Sequence, residues 1–397
     1  MTSRERVLTA VAHREPDRLP ITFDAEKEVI ALYETAYREC RYSQRSIMNV
    51  TPYLEDLEKR IEPDTEETLL AQWRNFLEGR SNEAVFSPRR ARPSPSELDW
   101  PNVPVNDALD DPDLMILQQL SMCSDALASG SGAILNVRPN YGTGILPSVF
   151  GAEMFRMDPA LNTLPGNLPL PGGANAIRAC LDRGVPDPHT GLGERCLTMG
   201  PLLADRFAPY PNVSRHIHIY HPDLQGPMDV CELLWGSDLF YALADTPDLV
   251  KAFLNLIAET YIRFMRAWET IVPPRENGYA AHWGLLIKGR IMLRDDSAMN
   301  LSPAMFDEFV APYDRRLLAE LGGGAIHFCG RGDHYIDRLH AMPGLHSVNL
   351  SQPDYNDMER IFEHTIDRGL TLLSLIRPAA EAAMRAGRDL RGRVHCR

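Results

Sequence analysis

From about residue 213 onward the chain repeats one alternation: a short apolar run, then a longer segment whose apolar positions recur every three or four residues. Runs of the first kind are HIHIY, AAHWGLL, AIHFC, HSVNLS, LTLLSL and RVHC. Segments of the second kind predict helices over 228–270, 303–321, 332–341, 356–368 and 378–386. Pro303 near the start of one and Gly322 at its end are ordinary helix start and stop signals. The stretch GYAAHWGLLIKGRIMLRDDS reads as strand material ending in two carboxylates.

The first half is less regular. MTSRERVLTAVAHREP predicts a charged amphipathic helix, RLPITF a short strand ending at Asp24, and Glu26 to Gly79 further helices. Phe86 to Pro112, rich in Pro, Ser and Arg, reads as a connecting loop, and AILNVR as a strand that breaks into RPNYGTG. Residues 141–213, with LPGNLPLPGG and GVPDPHTGLG, read as a long insertion laid over one face. With ITF and AILNVR the strands number eight, each followed by helix. The expectation is therefore an α/β protein, a single (β/α)8 TIM barrel over 1–397 with an N-terminal helical extension and the 141–213 insertion over the barrel mouth.

Composition narrows the function classes. A formal charge of −13 without a basic block disfavours nucleic acid and anionic membranes as partners. No apolar run has the length of a membrane span, and the charged N-terminus has no signal-peptide core, so a cytoplasmic location is expected. The seven cysteines are scattered and form no CxxC pair, which argues against a disulfide framework and leaves thiol or metal chemistry open.

Candidate chemistry sits where the apolar runs stop, which in a barrel is the catalytic face. In GGGAIHFCGRGDHY, His327 and Cys329 stand two apart, on one face of a strand. Cys396 closes the last run, so three soft donors from strands five and eight would meet at one mouth. That is a ligand set zinc favours, with a fourth position open. Such an ion holds a substrate thiol as thiolate at neutral pH.

The opening MTSRERVLTAVAHREPDRLP, the eight-unit layout, the QGP after HIHIYHPDL and the HFCG of the fifth run together resemble the uroporphyrinogen decarboxylase superfamily over nearly the full length. The resemblance is closest to its zinc-dependent corrinoid methyltransferase branch, marked by H-x-C and a distant third Cys, which His327, Cys329 and Cys396 match. It implies methyl transfer between a corrinoid protein and a small-molecule thiol or folate, with Zn2+ as cofactor. The decarboxylase branch carries a basic stretch after its first strand. Here ITFDAEKEV stands instead, and its acids would repel a poly-acid substrate.

Other strand-end residues complete the expected site. Asp296 is expected to position substrate or supply a proton, and His282 to act as an acid or further ligand. Asp24, Asn136, Arg138, Asn140, Tyr141, Gln225, Asp295 and Gln352 are expected to line the pocket. His216, His218 and His221 read as the polar side of a strand. The competing class is a metal-independent decarboxylase or lyase of the same fold, acting on a small acid through Asp296, His282 and Arg138.

Overall fold

Five parallel strands form the largest sheet of the protein, a mixed α/β fold seen in a computed structural model that describes residues 49–397. In chain order the strands are β1 (Asn136–Val137), β2 (Met154–Phe155), β3 (Gly166–Asn167), β4 (His218–Ile219), β5 (Tyr279–His282), β6 (Leu285–Lys288), β7 (Ile291–Arg294), β8 (Gly324–Phe328), β9 (Leu345–Leu350), β10 (Thr371–Leu375) and β11 (Val394–Cys396). β7 to β11 lie side by side in sequence order, all parallel. Every residue of β8 is buried, as expected of a parallel strand covered on both faces. The first expected helix, the strand ITF and Asp24 lie outside the described residues.

The helices between these strands follow local chemistry. Ser302 accepts the N–H of Met305 and starts Pro303–Phe309, and Asp357 accepts the N–H groups of Glu359 and Arg360 and starts Met358–His364. The expected single helix over 303–321 is two, Pro303–Phe309 and Ala311–Glu320, because Pro312 cannot continue the hydrogen-bond ladder of the first.

The AAHWGLL run is not one strand. β5 and β6 form an antiparallel hairpin whose turn is Trp283 and Gly284, both left-handed with φ of 51° and 77°. The parallel strand at that place in the order is β7, which follows the hairpin. Alternating apolar residues read alike in a strand and in a tight hairpin, so only pairing separates the two.

The segment 141–213 is also more structured than its Pro and Gly content suggests. It contains the β2–β3 hairpin and the helices Ala174–Arg183 and Gly191–Phe207, which pack on the long helix Pro247–Ile271 and bury Ile177, Cys196 and Leu203. Pro and Gly fall mainly in the turns between them. Phe86 to Pro112 is mostly loop, with one short helix, Val105–Asp110.

Backbone hydrogen bonds extend the sheet at both edges. Phe86 pairs with His395 in a parallel bridge, Arg89 with Ser131 in an antiparallel one, and β1 with β4 in parallel. The N–H of Gly226, just after β4, donates to the carbonyl of Arg294 at 2.9 Å. Gly226 is needed there, because a Cβ would lie 2.4 Å from that carbonyl oxygen and 2.7 Å from Oδ1 of Asp295. This is the physical content of the QGP motif. Beneath the site the core is aromatic: Phe76 stacks on Phe86 at 4.5 Å, Trp73 meets Phe86 edge-on, and both pack among Leu286, Met292, Ala325 and Leu373.

Candidate metal centre and adjoining cavity

β8 delivers His327, and Cys329, the first residue after its end, brings its sulfur to the same point. The imidazole is fixed by β9. Asn349 donates its Nδ2 to the carbonyl of Leu373 at 2.9 Å, so its Oδ1 faces Nδ1 of His327 at 2.5 Å as an acceptor. His327 therefore carries its proton on Nδ1, and Nε2 presents a bare lone pair. That lone pair faces the Cys329 sulfur at 3.4 Å and Oδ1 of Asp296 at 3.8 Å.

Asp296 is held from two sides. Its Oδ1 accepts the N–H of Cys329 at 2.7 Å, and its own N–H donates to Asp229, which also accepts from Ser297. One donor atom each from Asp296, His327 and Cys329 lies within 4.8 Å of the other two. Ligand atoms about 2.0–2.3 Å from a tetrahedral zinc ion stand roughly 3.3–3.8 Å from each other. The two separations at Nε2 fall in that range, and the mixed nitrogen, sulfur and oxygen set is one zinc accepts, so these residues fit the ion.

The electrostatics agree. Burial holds the His327 imidazole below its ordinary pKa, partly opposed by the Asn349 bond, so the ring is neutral at pH 7, as a ligand must be. Burial, reinforced by the Asp296 carboxylate, raises the Cys329 thiol despite its bond to Ser351. Without a cation this thiol stays protonated, and a divalent ion reverses that preference. Behind the centre, burial raises Asp229, with the Asp296 and Asp295 charges adding to it. Asp295 and Asp314 are both buried and, among the described residues, reached by no other hydrogen-bonding group; burial raises both, and the two facing carboxyls favour sharing a proton.

Beside the centre, Asp223 is a charge hub that sequence reasoning missed. It accepts from Arg294 at 2.6 Å, Arg138 at 2.9 Å and the indole N–H of Trp283 at 3.1 Å. Trp283 sits under the Arg294 guanidinium and meets the His327 ring edge-on at 5.0 Å. A tryptophan at positive φ is strained, and this contact set is what holds it there.

The residues expected from sequence divide accordingly. Asp296, His327 and Cys329 converge. Arg138 is committed to Asp223 and Tyr220, and Asn140 accepts from Arg138. His282 lies next to Asp223 but is wholly buried among Tyr220, His221 and Trp283, with no hydrogen-bond partner on either nitrogen among the described residues, and burial drives its pKa well below the ordinary value. Asn136 and Gln225 are buried, each with one polar atom lacking a partner among the described residues. Tyr141 packs under Arg195 instead, and Gln352 accepts the N–H of Gly330, bracing the turn after Cys329. Cys396 stays outside the three-donor group. The charges acting on its thiol are Arg377 and Glu381 of helix Arg377–Arg385, and burial raises it to about 11. Its neighbour His395, on the other face of β11 by strand alternation, packs on Trp73 at 4.7 Å.

A cavity of about 400 Å3 adjoins the centre, walled by Trp73 and Trp283 and sharing His327 with it; Asn349, His395 and Cys396 also line it. Asn349, Asp223, Arg294 and Asp229 gave no sequence signal beyond lying at or just past the ends of apolar runs.

No family model matches the chain, and no curated protein matches it in sequence. Among solved structures, a methyltransferase from Methanosarcina mazei is similar in fold, with a TM-score of 0.57 over 83% of this chain and 92% of that one, at 16% identity. At that identity the likeness is one of architecture: this chain shares the mixed α/β fold of a methyltransferase.

Proposed function

We propose that the protein is a zinc-dependent methyltransferase that moves a methyl group between a corrinoid protein and a thiol or folate. The observation that carries this reading is the preset lone pair of His327, aimed at Cys329 and Asp296 by the Asn349 bond. The fold likeness to a methyltransferase is consistent with it. His327, Cys329 and Asp296 would hold the ion, with Cys396, from the wall of the adjoining cavity, as a candidate further donor. Zinc, when bound, supplies Lewis acidity that favours the thiolate form of a thiol placed beside it.

The chain's own residues do the rest. Asn349 holds the imidazole in register, Asp229 fixes the backbone of Asp296, and Trp283 separates the centre from the Asp223 hub. The same reading takes the strands as a (β/α)8 barrel. Its support is the circuit of backbone pairing from β4 through Gly226 to β7, across the sheet to β11, then through Phe86 and Arg89 to Ser131, and so to β1 and back to β4. A corrinoid protein would then dock at the C-terminal ends of the strands. No described helix is long and apolar enough to cross a membrane.

The metal-independent lyase has less support, because Arg138 spends its charge on Asp223 and His282 has no open side. The test is metal content of the full chain after growth with zinc, followed by methyl transfer from methylcobalamin to thiols. About one zinc per chain is expected, lost in Cys329→Ala and His327→Ala. Less than about a tenth of that in the wild type would remove the metal centre. Comparing Asp296→Asn with Cys396→Ala identifies the third donor.

A further inference from the structure

The cavity next to the metal centre has a feature the centre does not use. In a chain with 54 acidic residues and a net charge of −13, no acidic side chain among the described residues lines it, although serines, an asparagine, histidines and two arginines, Arg89 and Arg397, do. Its volume lies in the usual range for small-molecule sites.

One of its walls is built by a backbone irregularity. The register of β10 against β11 shifts between Leu372 and Leu375, and Ser374 within that stretch adopts a φ of 60°, unfavourable for a side chain with a Cβ. The result is that the N–H of Ser374 donates to Nδ1 of His395 at 3.1 Å instead of to a neighbouring strand. Since Nδ1 accepts, the ring proton sits on Nε2. No described residue accepts from Nε2, and the ring is clamped against Trp73 and lines the cavity. Arg89 lines the same cavity, with one guanidinium nitrogen on the carbonyl of Ser129.

We propose that this cavity binds a small organic anion, its carboxylate or equivalent acceptor group held by the Nε2 proton of His395 and by Arg89, and its chain lying between Trp73 and Trp283. Strain at Ser374 persists because it fixes that donor. The wall shared with His327 puts the far end of such a molecule beside the metal centre. That the bound anion is the methyl acceptor rests on the functional reading above; the binding itself does not.

The experiment is calorimetric titration of the full-length protein, with and without zinc, using butyrate as the probe and 1-butanol as its neutral counterpart. Butyrate is expected to bind at least about tenfold more tightly than 1-butanol, the discrimination one charge-assisted hydrogen bond supplies. His395→Phe, which keeps the ring on Trp73 without the donor, loses that discrimination, and His395→Gln, which restores an N–H, recovers it. Arg89→Gln, at an exposed position, weakens butyrate without disturbing the fold. Equal binding of both probes by the wild type, or unchanged butyrate affinity in His395→Phe, overturns the proposal. Butyrate selectivity in a protein that takes up no zinc leaves this site standing and removes the metal reading. Zinc uptake without selectivity does the reverse.

Discussion

Replacing Asn349 by Leu tests the geometry on which the metal centre depends. Leucine keeps the volume but removes the acceptor 2.5 Å from Nδ1 of His327 and the donor to Leu373. Two costs follow. A nearly buried ring N–H loses its partner, at about 1–3 kcal/mol, and a strand carbonyl loses a side-chain bond worth about 1 kcal/mol. The ring also becomes free to carry its proton on Nε2. Equal tautomers alone would cost a ligand only about a factor of two, so most of the expected loss comes from ring orientation. Removing partners that orient metal-binding histidines costs about 10–100-fold in affinity, or about 1.4–2.8 kcal/mol. Competition against a chelator of known zinc affinity measures this directly, with a thermal melt to separate it from stability. Asn349→Asp keeps an acceptor for Nδ1 and should bind zinc more tightly than Asn349→Leu. Zinc affinity within about twofold of wild type in Asn349→Leu, with a cooperative melt, would show that the Asn349 bond does not organise the centre.

Asp223→Asn leaves Arg138 and Arg294 in a largely buried place without their shared carboxylate; we expect a loss of about 3–5 kcal/mol in urea unfolding, and a change below about 1 kcal/mol would mean the hub is solvated. Stability should also fall with acid in a defined window. Burial lowers His218 to about 3, so above its unfolded pKa of about 6.5 both states are neutral, and between there and pH 3 only the unfolded chain takes the proton. Each such histidine removes about 1.4 kcal/mol of stability per pH unit on acidification through that window. His218→Gln should flatten the slope by that amount, and an unchanged slope would mean the ring protonates in the folded state.

The alternation of apolar runs with helical segments was enough to identify an α/β protein, because burial on both faces makes parallel strands continuous apolar runs. The spacing of His327 and Cys329 was enough to put them on one side of a strand, since that period is local. The order of β8 to β11 also agreed with the expected succession of AIHFC, HSVNLS, LTLLSL and RVHC. What pattern alone could not settle was pairing. AAHWGLL closed into a hairpin, and the parallel strand fell to IMLR, because a two-residue turn at Trp283 and Gly284 leaves the apolar alternation unchanged. At the last strand, Cys396 lines the adjoining cavity but does not join His327 and Cys329 in the close donor group. The third close donor came instead from Asp296, 31 residues before His327. Asn349, Asp223 and Arg294 act through contacts made across strands, and such contacts exist only once the sheet brings those strands together.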